Sequence, residues 1–151
     1  MLREEDAMPQ RPVRSIIGNQ IPVTATSELT VAQAARLMKE KRIGALLVLD
    51  GARLAGIFTE RDALFRVIAE GRDPEKTRLA EVMTANPRTI TADRPFGHAL
   101  HLMHEGGFRH VPVVDQDRPV GVVSARDALG PELEEFVSDL DRRERIGEVM
   151  R

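Results

Sequence analysis

Two short stretches carry the residue types that could hold a ligand: Gly56-Ile57-Phe58-Thr59-Glu60-Arg61-Asp62 and Gly121-Val122-Val123-Ser124-Ala125-Arg126-Asp127. In each, an apolar run delivers a hydroxyl, an arginine and a carboxylate to the first turn of a predicted helix. Free N–H groups and the helix dipole favour an anion at such a terminus, and Arg61 or Arg126 adds a two-pronged phosphate donor. A carboxylate three residues after the hydroxyl can accept hydrogen bonds from two neighbouring sugar hydroxyls. Asp62 and Asp127 are therefore candidate ribose ligands, and each set describes a ribose-phosphate clamp. The same spacing is also a capping box, in which Thr59 or Ser124 and its acid satisfy the helix's own N–H groups. The ligand reading gains because the pattern occurs twice, each time with glycine three residues before the hydroxyl and arginine before the acid.

The elements behind these sets repeat as well. Gly44 to Leu64 returns as Arg109 to Leu129 at a constant offset of 65, without a gap. At the same offset Pro22 meets Pro87, Thr24 meets Thr89, Ala34 meets Ala99 and Met38 meets Met103. Arg78 to Met83 (RLAEVM) is echoed once more by Arg145 to Met150 (RIGEVM). Most of the chain is thus a tandem duplication. A single unit would bury too small a fraction of its surface to be comfortably stable, so two units sharing a core are expected.

Periodicity gives each unit the order strand, helix, strand, strand, helix. Val13 to Gly18 suits a short helical turn, and Ile21 to Thr26 reads as extended because of Pro22 and the β-branched residues after it. Val31, Ala34, Leu37 and Met38 form one apolar face, with Thr30 and Gln33 as a capping box. Pro95 takes the matching place in the second unit, where a first-turn proline loses no hydrogen bond. Ala45 to Leu49 and Leu54 to Phe58 flank the Asp50-Gly51 turn as a buried hairpin, repeated by Val111 to Val114 and Val120 to Val123. Arg61 to about Glu70 reads as a helix, and Gly71 to Thr77 as a polar linker. After Gly130-Pro131, a helix over Glu132 to Ile146 is expected.

Composition narrows the function classes. With 42% hydrophobic and 30% charged residues and a net charge of −2, the chain has no basic footprint for nucleic acid, and it has no Trp or Tyr for base stacking. It holds no cysteine, so disulfides and thiolate chemistry are excluded. The first residues lack the apolar core of a signal peptide and no apolar run approaches a membrane span, so a cytoplasmic location is expected. His98, His101 and His104 invite a metal reading, but three-residue steps drift around a helix and their repeat partners Gln33, Arg36 and Lys39 form a polar face. No metal site is expected. Neither a phosphate loop of the GxxxxGK[ST] type, nor GxGxxG, nor a nucleophile constellation occurs, and Gly106-Gly107 reads as a helix stop.

The duplicated glycine, hydroxyl and aspartate pattern, the HVPVVD run from His110 to Asp115, and the EVMT segment from Glu81 to Thr84 leading to Pro87 together resemble a tandem pair of cystathionine β-synthase (CBS) domains, a Bateman module. The resemblance covers about Val13 to Leu129. It implies an α/β (α+β) fold of tandem β-α-β-β-α CBS repeats related by a pseudo-two-fold axis: a mobile leader over 1–12, CBS domain 1 over 13–84, the core of CBS domain 2 over 85–130, and a C-terminal helix over 131–151 completing the module. Two inter-repeat clefts would bind adenosyl compounds such as AMP, ADP, ATP, NAD or S-adenosylmethionine, with AMP, ADP or ATP expected first and no cofactor required.

By that resemblance Thr59 and Ser124 lie by the phosphate, and each base pocket comes from the opposite unit. Asp62 would face Ala85, Pro87, Phe108 and Arg109, and Asp127 would face Gln20, Pro22, Ile43 and Gly44. Arg109 and His110 suit phosphate contact, whereas Gly44 and Ala45 at the matching places carry no charge, so the Asp62 cleft is expected to hold phosphate more tightly. Leu47, where the second unit has Pro112, departs from the pattern. The implied protein is a non-enzymatic sensor, a homodimer signalling to an unidentified effector protein. A ligand-free structural or dimerisation module is the alternative.

Overall fold

The computed structural model describes residues 11–129 and 138–143. The expected leader, apart from its last two residues, and most of the expected C-terminal helix lie outside them; residues 138–143 are helical and exposed. Helix α1 (Val13–Ile17) is followed by β1 (Thr24–Thr26), α2 (Val31–Lys41), β2 (Ala45–Asp50) and β3 (Arg53–Thr59). Next come α3 (Glu60–Asp62), which runs on as a π-helical stretch Ala63–Ile68, then α4 (Leu79–Val82) and β4 (Thr84–Ala85). The second unit supplies α5 (Phe96–Gly106), β5 (His110–Asp115), β6 (Arg118–Ser124) and a 3-10 turn Ala125–Leu129.

Helix α2 starts where its cap predicts: Thr30 Oγ1 accepts from Gln33 N–H at 3.2 Å, and Gln33 Oε1 accepts from Thr30 N–H at 3.0 Å. Its Val31, Ala34 and Met38 are buried, as the periodicity requires. Pro95 stands at the N-cap of α5, one place before the first turn; its extended backbone serves there and its side chain makes no cap. Gly107, left-handed at φ 70°, ends that helix.

The hairpins are copies. Ala45 lies opposite Thr59 as His110 lies opposite Ser124, and every later pair follows 65 residues on, including the register shift at Val48/Leu49 and Val113/Val114. Leu46, Leu47, Val48 and Phe58 are fully buried. Burying each such side chain contributes about 1.5–3 kcal/mol, more than a turn residue does, so the apolar runs set the register.

The flanks of the sheets differ. β1 pairs in parallel with β2 over three residues, with Leu47 N–H donating to Val23 C=O at 3.3 Å. The second unit has Pro112 at the place of Leu47, with no N–H to donate. Its strand is reduced to one parallel bridge, Ile90 with Val113, the counterpart of Ala25 with Val48. On the other side β4 pairs with β3 through Gly56 opposite Ala85 and Ile57 opposite Thr84. For β6 the Gln20 side chain takes that place, its Oε1 accepting from Val122 N–H at 2.6 Å. The result is a four-stranded sheet in the order β1-β2-β3-β4 and a two-stranded sheet β5-β6.

Each sheet covers its own core. The first gathers Val31, Ala34, Leu46, Phe58 and Val67 with Leu79 and Val82 of α4. The second gathers Phe96, Ala99, Met103, Val111 and Val123, together with Val13 and Ile17 of α1. The first helix of the described residues therefore packs in the second unit, fastened by Val13 N–H to Arg94 C=O at 2.8 Å and Arg14 N–H to Ala92 C=O at 2.9 Å. A third cluster, Ala45, Leu47 and Ile57 with Leu54 and Val122, lies where the sheets meet.

The helix expected from Arg61 to Glu70 departs from α geometry after Asp62. Ala69 N–H bonds Leu64 C=O and Arg72 N–H bonds Val67 C=O, both at 2.9 Å and both spanning five residues. The wider turn keeps Val67 in the core at 1% exposure while Arg66 projects toward α4.

Candidate functional site

Strand β3 ends at Thr59, and its last hydrogen-bonded neighbour sets the start of the next turn, since Glu60 N–H donates to Gly44 C=O at 3.0 Å. Thr59 Oγ1 accepts from Asp62 N–H at 3.2 Å, while Asp62 Oδ2 accepts from Thr59 N–H at 3.0 Å and from its hydroxyl at 3.2 Å. Ser124 and Asp127 repeat the carboxylate side of the arrangement, with Asp127 Oδ2 accepting from Ser124 N–H at 2.7 Å and its hydroxyl at 3.4 Å. The reciprocal capping box is thus complete in the first unit, and in the second its carboxylate half alone is formed. It occupies one carboxylate oxygen of each acid.

A cavity of about 890 Å³ opens beside the first of these caps. Thr59, Arg61 and Asp62 contribute from the first unit, and Pro87, Phe108, Arg109 and His110 close it from the other side. Of the residues expected to face Asp62, Ala85 is not in the lining; its neighbour Thr84 is. Gly44, expected opposite Asp127, lines this cavity. Gln20, Pro22, Ile43, Ser124, Arg126 and Asp127 do not. The backbone at Asp127 is held differently: Arg11 donates to its carbonyl at 3.2 Å and stacks over the Phe96 ring at 5.6 Å.

Several lining residues carry no signal of site chemistry in the sequence: Glu60, Leu64, Phe65, Arg66 and Arg88. Glu60 and Arg66 could have been placed from their positions on the helix that begins at the cap. Arg88 could have been placed from its position next to Pro87. A Cβ on Gly44 would meet only the carboxylate tip of the exposed Glu60, a flexible side chain that can turn away. The glycine at the start of the repeated pattern has a steric cause. A Cβ on Gly56 would come 2.6 Å from Met83 Sδ and 2.9 Å from the Thr84 carbonyl, so the close approach of β4 demands a residue without one.

Charge is unevenly spread around the cavity. Four arginines, Arg61, Arg66, Arg88 and Arg109, face two carboxylates, Glu60 and Asp62. Arg61 donates to Gly107 C=O at 2.9 Å, joining the first unit to the end of α5, and lies 5.4 Å over the Phe65 ring. Arg88 pairs with Glu105 at 3.4 Å. Asp62 is 8% exposed, and its Oδ1 lies 3.4 Å from Arg66 Nε. Burial pushes the His110 imidazole below its ordinary 6.5; Glu60 and Asp127 pull it back, and Arg109 adds to the lowering. His110 is therefore uncharged at neutral pH and offers a ring donor and acceptor rather than a cation.

Among the described residues no His, Cys, Asp and Glu side chains gather in threes as a metal would need, and no helix is long and apolar enough to cross a membrane.

Comparison with known proteins shows the family of the chain. The CBS domain family matches the chain twice, over residues 13–69 and 79–131. The CBS domain-containing protein CBSCBSPB1 of Arabidopsis thaliana is 39% identical over 119 residues, which is 78% of this chain and 22% of that protein. The chain thus spans about a fifth of the length of that plant relative. A CBS-domain protein from Burkholderia ambifaria superposes with a TM-score of 0.74 at 36% identity, covering 82% of this chain and 94% of the other. The CBS domain pair of protein MJ0100, solved with 5′-methylthioadenosine and S-adenosyl-L-methionine, superposes with a TM-score of 0.69 at 31% identity over 77% of this chain and 94% of that one. With two family matches, one per repeat, and relatives that share both sequence and fold, the chain belongs to the CBS domain family as a tandem pair.

Proposed function

We propose that this CBS pair is a non-enzymatic regulatory protein of the cytoplasm that binds an adenosine nucleotide in the Asp62 cleft and passes the occupancy of that cleft to a partner protein. The observation that carries the reading is the cavity itself, in which Asp62 of α3 faces Pro87, Phe108 and Arg109 from the other unit. Its lining offers a carboxylate for a sugar diol, apolar walls for a base and arginines for phosphate. That MJ0100 binds adenosine-containing ligands supports the same class here. The arginine excess favours anionic AMP, ADP or ATP over the sulfonium of S-adenosylmethionine.

Signalling needs only that the ligand bind one arrangement of the two units better than another. Arg61, which joins the cleft to the α5 end, is a natural point for such a difference. Leu64, Phe65 and Ile68 stand 51, 52 and 69% exposed on one helical stretch, and Leu129, the repeat counterpart of Leu64, is 52% exposed. We assign this face to a homodimer contact. The other reading, a ligand-free structural or dimerisation module, draws its support from the caps, which explain both acids without a ligand.

Calorimetric titration with AMP, ATP, NAD and S-adenosylmethionine separates the two. The sensor reading expects saturable heat with a nucleotide and added stability of about 2.7 kcal/mol at a hundredfold excess over Kd. Absence of heat and of any thermal shift with all four leaves the structural module.

A further inference from the structure

We infer that Arg66 is a positioning residue that sets the ribose specificity of the Asp62 cleft, an inference that rests on the nucleoside reading above. The Asp62 carboxylate has one oxygen committed to the cap, Oδ2, which holds the Thr59 N–H and hydroxyl. That leaves Oδ1 for a sugar hydroxyl, and its neighbour is Arg66 Nε at 3.4 Å. The same guanidinium donates through Nη1 to Met83 C=O at 3.1 Å and reaches Val82 C=O at 3.5 Å. One planar side chain therefore joins the sugar-binding acid to the segment leading into β4, whose Thr84 walls the cavity.

Two facts argue that this bridge serves the ligand rather than the fold. The Arg66 side chain is 52% exposed, and an exposed ion pair contributes little to stability. The guanidinium reaches the carbonyl immediately before Thr84, which lines the cavity, so what it joins to the acid is a wall of the cleft. Pinned at both oxygens, the carboxylate is held in one plane and meets an incoming diol without reorganising. At the matching sequence position the second unit has Pro131, which has no side-chain donor. The strap belongs to the first cleft's sequence alone.

The test compares adenosine and ATP with their 2′-deoxy analogues on the full chain, in the wild type, Arg66→Ala and Arg66→Lys, with thermal melts alongside. The wild type should prefer the ribose form by about tenfold or more, the scale of one hydrogen bond to a charged group. In Arg66→Ala that preference should fall to within about threefold, with the melting temperature little moved. Arg66→Lys keeps the charge but not the fork, and should lose most of the preference as well. An unchanged ratio in Arg66→Ala, or a full ratio retained in Arg66→Lys, would overturn the bridging role while leaving nucleotide binding intact. A loss confined to ATP would make Arg66 a phosphate contact and overturn it equally. Failure of the wild type to bind any of the four would instead remove the nucleoside reading, and this inference with it.

Discussion

On the outer edge of β3 the first unit lays down β4, with Gly56 opposite Ala85; on the outer edge of β6 the second unit lays a side chain, the Gln20 amide that accepts from Val122 N–H. The inner edges differ too, since three residues of β1 pair with β2 while one bridge at Ile90 meets β5. Between these edges the hairpins keep the same register through the same irregularity. The duplicated part is thus the buried hairpin and its cap. Divergence sits at the sheet edges and at the ends of β2 and β5, where Gly44 and Ala45 in one unit become Arg109 and His110 in the other. Those are the positions from which a cleft is walled and charged, so a duplicated fold can hold two unlike sites.

Methyl groups on the paired glycines probe this contrast most strongly. A Cβ on Gly56 meets the Thr84 carbonyl at 2.9 Å, a backbone atom that can move only if β4 moves. On Gly121 the nearest atoms are Ile17 Cγ2 at 2.9 Å and Gln20 Oε1 at 3.1 Å, both on side chains. Gly56→Ala should therefore cost about 1–3 kcal/mol and weaken nucleotide binding, with Gly121→Ala costing distinctly less, measured by denaturant unfolding. Equal costs would mean that the two edges are equally yielding.

Smaller and confined to acid conditions is the effect of His110. Its folded pKa is depressed below 6.5, so the unfolded chain binds the proton more readily and stability falls as pH drops through and below that value. His110→Ala, which installs the residue type found at Ala45, should flatten the difference in melting temperature between pH 7.5 and 5.5. A slope as steep in the variant as in the wild type would assign the acid sensitivity to other groups.

The sequence was most informative where the physics is local or repeated. The Thr30/Gln33 and Thr59/Asp62 caps, the paired apolar runs and the Gly107 stop follow from spacing alone, and each is found where its residues predict. The repeat offset carries the whole hairpin register. What escaped depends on contacts between distant segments. Nothing in Val13 to Ile17 says that it will pack beside Phe96 and Val123 rather than in its own unit. The π-helical turn after Asp62 reflects the pull of a buried Val67 against an outward Arg66, a conflict that local propensity does not register. The sequence marks Leu47 as the departure, yet the consequence of Pro112 in its place, the loss of a parallel strand, becomes plain only when the Leu47 N–H is seen donating to Val23. Among the cavity residues, Glu60, Arg66 and Arg88 are not marked by the duplication, because their repeat partners are Ala125, Pro131 and Val23 and none of the three pairs matches in chemistry.

The central claim is that the Asp62 cleft grips the nucleotide and that the acid does more than cap its helix. Titrating ATP calorimetrically into the wild type, Asp62→Ala and Asp127→Ala tests it most directly. Both variants should lose about 1 kcal/mol of folding stability with the cap. Asp62→Ala alone should also lose roughly 10- to 150-fold in affinity for the tightest site, the scale of a hydrogen bond to a charged group. Binding by Asp62→Ala as tight as that of the wild type, with only the stability loss in both variants, would contradict the account.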